Sequence, residues 1–421
     1  MVETWQTEQQ DDSAIDEHKQ PEIAHVRVLT GRHPHAVHVF QSPGTSIGRV
    51  GGDCDYAVDD ARMSRRHARI ERSAAGWQLQ DLNARNRGFV DGRGYGAFER
   101  VALTDGSVLR FGDTLMVFRA SPPTIDGRTD SAVFPGLSPV AVTVRRRIDT
   151  LAAGSGHVLI LGETGTGKER VAKAIADHRA TQPFVTLNSA ELSRDLARSE
   201  LFGVVRGAFT DARNNKPGLV DVAGDGVLFL DEIGELSTDV QPELLRFLED
   251  GSYRPVGSTE LRRSNARLVA ATHVDLDQAV EQGKFRRDLL ARLRASNMPL
   301  QLPALRDRRE DILGWTELFF RLAARDVGAA PWTAGALECL LLYPWNENLR
   351  GLSSVITEVL SESPSFPCKT EHLPQALRAH RDTLRTRVGA TPVPMDDHTP
   401  QMPPRPPSTP VPVPVRPAPP R

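Results

Sequence analysis

The sequence predicts a multidomain chain: an all-β unit, then an α/β unit that closes in a helical subdomain, with disordered segments at both ends. Three observations carry this reading. Short alternating apolar runs, broken by Gly, Asp, Asn and Pro, fill residues 24–120, the pattern of half-buried strands joined by turns. Apolar strand-like runs alternate with longer helical patterns across residues 135–388, as an α/β domain requires. Of the 31 prolines, 13 fall in residues 389–421, where fixed φ angles and missing N–H groups exclude helix.

In chain order, residues 1–23 are rich in Glu, Asp and Gln and predict a disordered acidic tail. Strands are expected at His25–Leu29, Val37–Phe40, Trp77–Leu82 and Leu115–Arg119 within the 24–120 domain. Residues 121–134 (SPPTIDGRTDSAVF) read as a linker. The α/β domain with its helical lid is assigned to 135–365, a C-terminal helix to 366–388, and an extended proline-rich tail to 389–421. There are no internal repeats. Hydrophobic content of 39% and charged content of 25% are ordinary for globular chains. A net charge of -2 argues for no particular partner, although Arg62, Arg65, Arg66, Arg69 and Arg72 cluster locally. Cys54, Cys339 and Cys368 form no CxxC pair, which argues against a zinc site or a disulfide framework. The polar N-terminus has no signal-peptide pattern, and no apolar run approaches the roughly 20 residues that cross a bilayer. The expectation is a cytoplasmic protein without a membrane partner.

The most specific motif is HVLIL (His157–Leu161) followed by Gly162, Glu163, Thr164, Gly165, Thr166, Gly167, Lys168 and Glu169, then the helical run RVAKAIADH. This is the strand–GxxxxGK–helix order of a P-loop. Its glycines let successive backbone N–H groups face phosphate oxygens, the helix N-terminus adds positive potential, and Lys168 sets a cation near the β- and γ-phosphates. Glu169 stands where Ser or Thr usually ligates magnesium. Downstream, GVLFLDE (Gly226–Glu232) is an apolar strand ending in two carboxylates. Asp231 is placed to hold Mg2+, and Glu232 to polarise an attacking water. ATP and Mg2+ are the implied cofactors, and ATP hydrolysis the implied reaction.

With PFVTLNSAEL, ELFG, GAFTDA, LFLDEIGEL, LLRFLEDGSYRPVG, FRRDLLARL and LPALRDRREDI in order, residues 135–365 resemble the central AAA+ domain of bacterial enhancer-binding proteins, the activators of sigma-54 RNA polymerase. Glu169 is typical of that family. The resemblance implies that Asn188 senses nucleotide by pairing with Glu232, and that Thr272 and His273 occupy the first sensor, where the family usually has Thr-Asn. It implies that Arg286 and Arg292 are arginine fingers reaching a neighbouring subunit's ATP, hence a homo-oligomeric ring, a hexamer. Arg350, in WNENLRGL rather than the usual WPGNVREL, matches the second sensor. Gly207, Ala208, Phe209, Thr210, Asp211 and Ala212 match the loop that contacts sigma-54, with Asp211 in place of a glycine. Aspartate tolerates positive φ better than most residues, so the loop shape is expected to survive with an added charge.

In the β unit, IGR (Ile47–Arg49), SRRH (Ser64–His67) and DLNARNRGFVDG (Asp81–Gly92) resemble a forkhead-associated (FHA) domain, a β-sandwich that binds phosphothreonine peptides. The resemblance implies that Arg49, Ser64 and Arg65 contact phosphate through charge-assisted hydrogen bonds and that Asn86 holds the ligand backbone. His67 is expected to be a hydrogen-bonder within its loop. Family members usually finish with a helix-turn-helix. Here the last helical pattern, Glu371–Arg387, is followed only by the proline tail, so direct sequence-specific DNA binding is not expected. Arg378, Arg381, Arg385 and Arg387 are expected on a solvated helix face. Two functions fit: a phosphothreonine-gated ATPase that remodels the sigma-54 polymerase holoenzyme, or a phosphoprotein-binding adaptor whose motor no longer activates sigma-54.

Overall fold

The computed structural model describes residues 23–31, 33–40, 44–124, 131–177, 183–191, 193–208, 214–323, 331–362 and 366–386. Residues 1–22 of the expected acidic tail, the whole proline-rich tail and Phe209–Ala212 lie outside them. The N-terminal unit is a sandwich of two sheets. A six-stranded sheet runs in the order Val37–Phe40, Ala24–Val28, Thr114–Arg119, Val108–Phe111, Phe89–Val90, Arg93–Gly94. A five-stranded sheet runs Tyr56–Val58, Thr45–Arg49, Ala68–Ser73, Gly76–Asp81, Arg100–Ala102. The four strands anticipated from alternation are present, shifted by at most a residue. Val26, Phe40, Ile70, Leu79, Phe111 and Phe118 fill the space between the sheets.

The six-stranded sheet is buried on its other face as well. Along Thr114–Arg119, Met116 and Phe118 enter the sandwich core while Leu115 and Val117 join the core of the following domain. Side chains alternate across a strand, so one strand serves two cores. Each such aliphatic side chain contributes about 1.5–3 kcal/mol when fully buried.

The second unit carries a five-stranded sheet in the order Phe184–Asn188, Val227–Asp231, Arg267–Thr272, Val158–Leu161, Leu300–Gln301. Every pairing is parallel, so the carboxyl ends of the strands share one edge, where α/β sheets bind ligands. The helices Asp311–Leu322, Ala334–Leu342, Asn348–Glu362 and Gln375–Thr386 follow as a lid. Phe134, from the expected linker, is fully buried beneath Trp315 and the Arg308 guanidinium, so the α/β core begins before Pro135.

Ala334–Leu342 is buried at all 9 residues, as a helix apolar on every side must be. It lies between sandwich and lid. Its one charge, Glu338, accepts from Arg110 of the sandwich and from Arg385 of the last helix, each at 2.7 Å. Arg385 also stands 5.2 Å above the Phe89 ring, and Arg381 packs beneath the same helix with a long contact to the Gly335 carbonyl. The expected solvated arginine face is therefore corrected: Arg381 covers the apolar helix within the lid, and Arg385 supplies the counter-charge of Glu338 and joins the lid to the sandwich at Phe89. Arg387 lies outside the described residues.

Candidate functional site

The phosphate loop leaves Leu161 and enters the helix Lys168–Asp177. Gly165 and Gly167 have φ of +78° and +103°, a region that disfavours side chains. A Cβ at Gly165 would meet the Glu347 carbonyl at 2.2 Å. Lys168 donates to the Gly162 carbonyl at 3.0 Å and lies 3.5 Å from Glu232 Oε1. The loop borders a cleft of 280 Å³ with Asp231, Glu232 and Arg350 on its wall, beside Trp315, Phe319 and Leu349. The three apolar residues offer a surface for a base, and the charged ones face the phosphate end.

Burial and the neighbouring Glu232 raise the Asp231 carboxyl, against the pull of Lys168. Among the described residues it accepts one hydrogen bond, from the Glu232 N–H at 3.1 Å. An under-partnered carboxylate beside a phosphate cradle fits a hard divalent cation, which takes one or two carboxylates and completes its shell with phosphates and water. Burial would raise Glu232 too, but the His273 hydrogen bond and Lys168 hold it below the usual range.

Asn188 requires a correction. It ends its strand opposite Asp231, yet its amide donates to Glu191 at 2.6 Å rather than to Glu232. The physical reason is local: Asn188 also accepts from Ala190 N–H at 3.1 Å, a turn that folds its side chain back over the following residues. Thr272 is fully buried, and its hydroxyl lies 3.3 Å from Glu232 Oε2. His273 follows at the strand end and bonds the same carboxylate oxygen.

Two residues that hold the loop were not legible as site residues. Asn348 is fully buried with φ +51°. Its amide donates to Glu163 at 3.1 Å and to the Thr164 carbonyl at 3.0 Å, while its oxygen accepts from Leu305 N–H at 2.7 Å. Arg306 pairs with both Glu163 oxygens, and with Asn348 it keeps that carboxyl ionised below its ordinary value. The available signal was the asparagine in WNENLRGL, a residue type suited to positive φ. The segment after Arg306 continues outward: Arg308 lies 3.3 Å from the Thr166 carbonyl, Arg309 pairs with Asp91 of the sandwich at 2.7 Å, and Glu310 pairs with Arg119. The segment Arg306–Glu310 thus links the phosphate loop to the β-sandwich.

Arg286 and Arg292 do not line this cleft. Arg286 forms a two-point pair with Asp288 on the surface. Arg292 donates to the Leu248 carbonyl at 2.8 Å, satisfying a free carbonyl in the last turn of Gln241–Asp250. Gly207, with φ +81°, and Ala208 lead into the expected sigma-54 loop; the rest of that loop lies outside the described residues. A larger cavity of 590 Å³ opens between sandwich and lid, bordered by Asp91, Arg306, Arg309 and His380, apart from the phosphate loop.

On the sandwich, three loops meet. Gly48 lies so close to the Arg65 carbonyl that a Cβ would stand 2.0 Å from it. Arg49 donates to the Ala61 carbonyl at 3.2 Å, Ser64 Oγ accepts from Arg85 N–H at 2.9 Å, and Asn86 donates to the Arg62 carbonyl at 2.7 Å. Arg65 and Asn86 are exposed. The expected loop role of His67 is observed: Ser64 N–H donates to its Nδ1 at 3.2 Å.

A phosphate loop, two carboxylates at the next strand end and a helical lid over the cleft define a nucleotide-binding module of the P-loop class, here carried behind a β-sandwich. Family models make this specific. Residues 45–112 match the FHA domain, 135–299 the Sigma-54 interaction domain, and 306–389 the AAA+ ATPase lid domain. The chain is an FHA domain joined to a sigma-54 interaction domain with its AAA+ lid. It is 44% identical over 238 residues to the alginate biosynthesis transcriptional regulatory protein AlgB of Pseudomonas aeruginosa, covering 56% of this chain and 51% of that protein. It is 39% identical over 257 residues to the DNA-binding transcriptional regulator NtrC of Rhizobium meliloti, covering 60% and 53%. The chain therefore spans about half the length of these curated relatives. The structure is similar to that of NtrX from Brucella abortus in complex with ATP, with a TM-score of 0.52 and 30% identity, covering 61% of each chain. Among the described residues, no helix is long and apolar enough to cross a membrane.

Proposed function

We propose that this chain hydrolyses ATP as a homo-oligomeric ring and uses that cycle to remodel sigma-54 RNA polymerase under control of a phosphothreonine signal read by the FHA domain. The observation that carries the reading is the convergence of Lys168, Asp231, Glu232 and Arg350 on one cleft within a chain that matches the Sigma-54 interaction domain. Lys168 and the loop N–H groups would hold the phosphates, Asp231 a magnesium ion that neutralises charge on the transferred group, and Glu232 would orient the attacking water. Arg350 lies on the lid side of the cleft, suited to report nucleotide to the lid. Arg286 and Arg292, absent from the cleft of their own chain, are available to a neighbour's. The 207–212 loop would contact sigma-54. Arg49, Ser64, Arg65 and Asn86 would hold the phosphopeptide.

Steady-state hydrolysis tests the motor. Lys168→Ala should abolish nucleotide binding, and Glu232→Gln should bind ATP without turnover; normal rates in either variant would refute the assignment. Capture of purified sigma-54 with an ATP transition-state mimic tests the coupling, and Phe209→Ala should remove it while sparing hydrolysis. Should native chain hydrolyse ATP and form no such complex, the adaptor function replaces this one. Calorimetry with phosphothreonine peptides tests the sandwich: Arg49→Ala or Ser64→Ala should weaken binding by about tenfold or more, and affinity that ignores the phosphate would point to a scaffold.

A further inference from the structure

The 590 Å³ cavity between sandwich and lid shares no lining residue with the nucleotide cleft. Its volume falls in the range of about 300–1,000 Å³ that small-molecule sites occupy, and domain junctions are where such sites concentrate. Val90, Val101, Leu342 and Leu384 give it apolar walls, and Arg93, Arg306 and Arg309 bring guanidinium groups to it. The two carboxylates of the lining are already engaged. Asp91 Oδ1 accepts from Arg309 at 2.7 Å and from the Val108 N–H at 3.0 Å, and Glu99 closes its own turn on the Gly96 N–H at 2.6 Å. Each guanidinium carries five N–H donors and no acceptor. Arg306 directs two of its N–H groups to Glu163, and Arg93 is exposed and, among the described residues, pairs with no carboxylate. The cavity wall therefore offers more donors than acceptors around an apolar interior.

We propose that this cavity is an effector site for a small phosphate-bearing molecule with an apolar body, and that the effector lowers ATP affinity through Arg306. Guanidinium forks match phosphate geometry in two-point contacts, and the apolar walls would take the remainder of the molecule. Arg306 belongs to both places: it borders the cavity and holds Glu163 of the phosphate loop. A phosphate bound beside it competes with Glu163 for the same donors. Glu163 is then held by the Asn348 amide alone, and the loop that should cradle the nucleotide loses one of its two side-chain supports. Coupling between two binding sites is reciprocal, so ATP in the cleft should weaken the effector by the same factor.

The site stands on its own geometry, while its effect on ATP rests on the nucleotide-binding reading, so the two are measured separately. Calorimetry follows 1-naphthyl phosphate, and its uncharged counterpart 1-naphthol, into the full native chain, Arg93→Gln and Lys168→Ala, with a melting curve for each. The phosphate ester should bind saturably, with equal affinity in the native chain and in Lys168→Ala, whose phosphate loop is disabled. Arg93→Gln, at an exposed position, should melt as the native chain does and bind roughly tenfold or more weakly, as should 1-naphthol to the native chain, because each lacks a charge-assisted contact. Saturating 1-naphthyl phosphate should then weaken fluorescent-ATP binding by roughly fivefold or more. No saturable binding, equal affinity for 1-naphthol, native affinity in Arg93→Gln or loss of binding in Lys168→Ala overturns the site. Unchanged ATP affinity with the ester bound overturns the route through Arg306. A native chain that binds the ester and no ATP keeps the site and overturns the nucleotide-binding reading instead.

Discussion

Arg119, at the end of the last strand of the sandwich, holds Glu310 at the entrance to the lid: Nε donates to Oε1 at 2.8 Å, a second bond joins the remaining atoms, and their side chains are 5% and 1% exposed. Burial alone would make the guanidinium less basic, but Glu310 and then Asp105 outweigh it and keep the group charged. Removing Arg119 leaves the buried Glu310 carboxylate without its hydrogen-bonded counter-charge, whereas removing Glu310 leaves the guanidinium paired with Asp105 at 2.7 Å. Arg119→Gln should lower stability by about 3–5 kcal/mol, whereas Arg119→Leu with Glu310→Leu should cost much less. Denaturant unfolding of the full chain measures this. Equal losses in the single and double variants would mean that the pair is not what is being broken.

Asn348 should govern nucleotide affinity without touching nucleotide. It supplies three hydrogen bonds around the phosphate loop from a fully buried position. Asn348→Ala leaves a backbone carbonyl and a backbone N–H unpaired, at about 1–3 kcal/mol each. The expected result is a rise in KM for ATP of roughly tenfold, with kcat changed less. A proportional fall in kcat at native KM would place its effect on chemistry instead.

Acid should weaken the sandwich through His67. Burial pushes its imidazole down to about 4 against the opposing pull of Asp81 and Asp60, and its Nδ1 already accepts the Ser64 N–H. A base with a depressed folded-state value stabilises the fold fully above its ordinary value of 6.5, and that contribution is lost as pH falls through about 4. The span corresponds to roughly 3 kcal/mol. His157, lowered to about 4 by burial and by Arg292, adds a second loss of the same sign. His67→Asn, which accepts the same N–H without titrating, should flatten part of the decline in denaturant midpoint between pH 6.5 and 4. An unaltered slope would assign the acid sensitivity elsewhere.

Arg286 carries the test for action across subunits. It is surface-exposed and its guanidinium pairs with Asp288 on the same helix end, so Arg286→Ala should leave the fold intact and depress turnover by up to about a thousandfold. Mixed with Lys168→Ala, it should regain activity at interfaces that unite an intact finger with an intact phosphate loop. Arg292 is a poorer probe because it also caps a helix. Specific activity that stays constant down to a demonstrably monomeric concentration would exclude a finger in trans.

The chemistry-bearing loops were legible in the sequence because each motif is local. GETGTGKE needs only the strand before it and the helix after it, and LFLDE is one strand with its end. The sandwich strands were legible for the same reason, since alternation at period two reports one buried face. What the sequence did not disclose was contact between segments far apart in the chain. The run Leu115–Phe118 is continuously apolar, the mark of a strand buried on both faces, but nothing in it names the second face as the lid helix Ala334–Leu342. Arg385, expected on a solvated helix face, instead meets the buried Glu338 beside Arg110.

The sequence by itself thus determined which residues stand at strand ends and in glycine turns, because backbone geometry is set by neighbours along the chain. The tertiary structure alone decided which side chains meet: His273 rather than Asn188 on Glu232, Asn348 and Arg306 under the phosphate loop, and Arg119 on Glu310. Hydrogen bonds and buried ion pairs depend on distance and direction in space, and many residues of the right type compete for each partner. Only the packing of both domains, which removes water from some of those pairs and leaves it at others, selects among them.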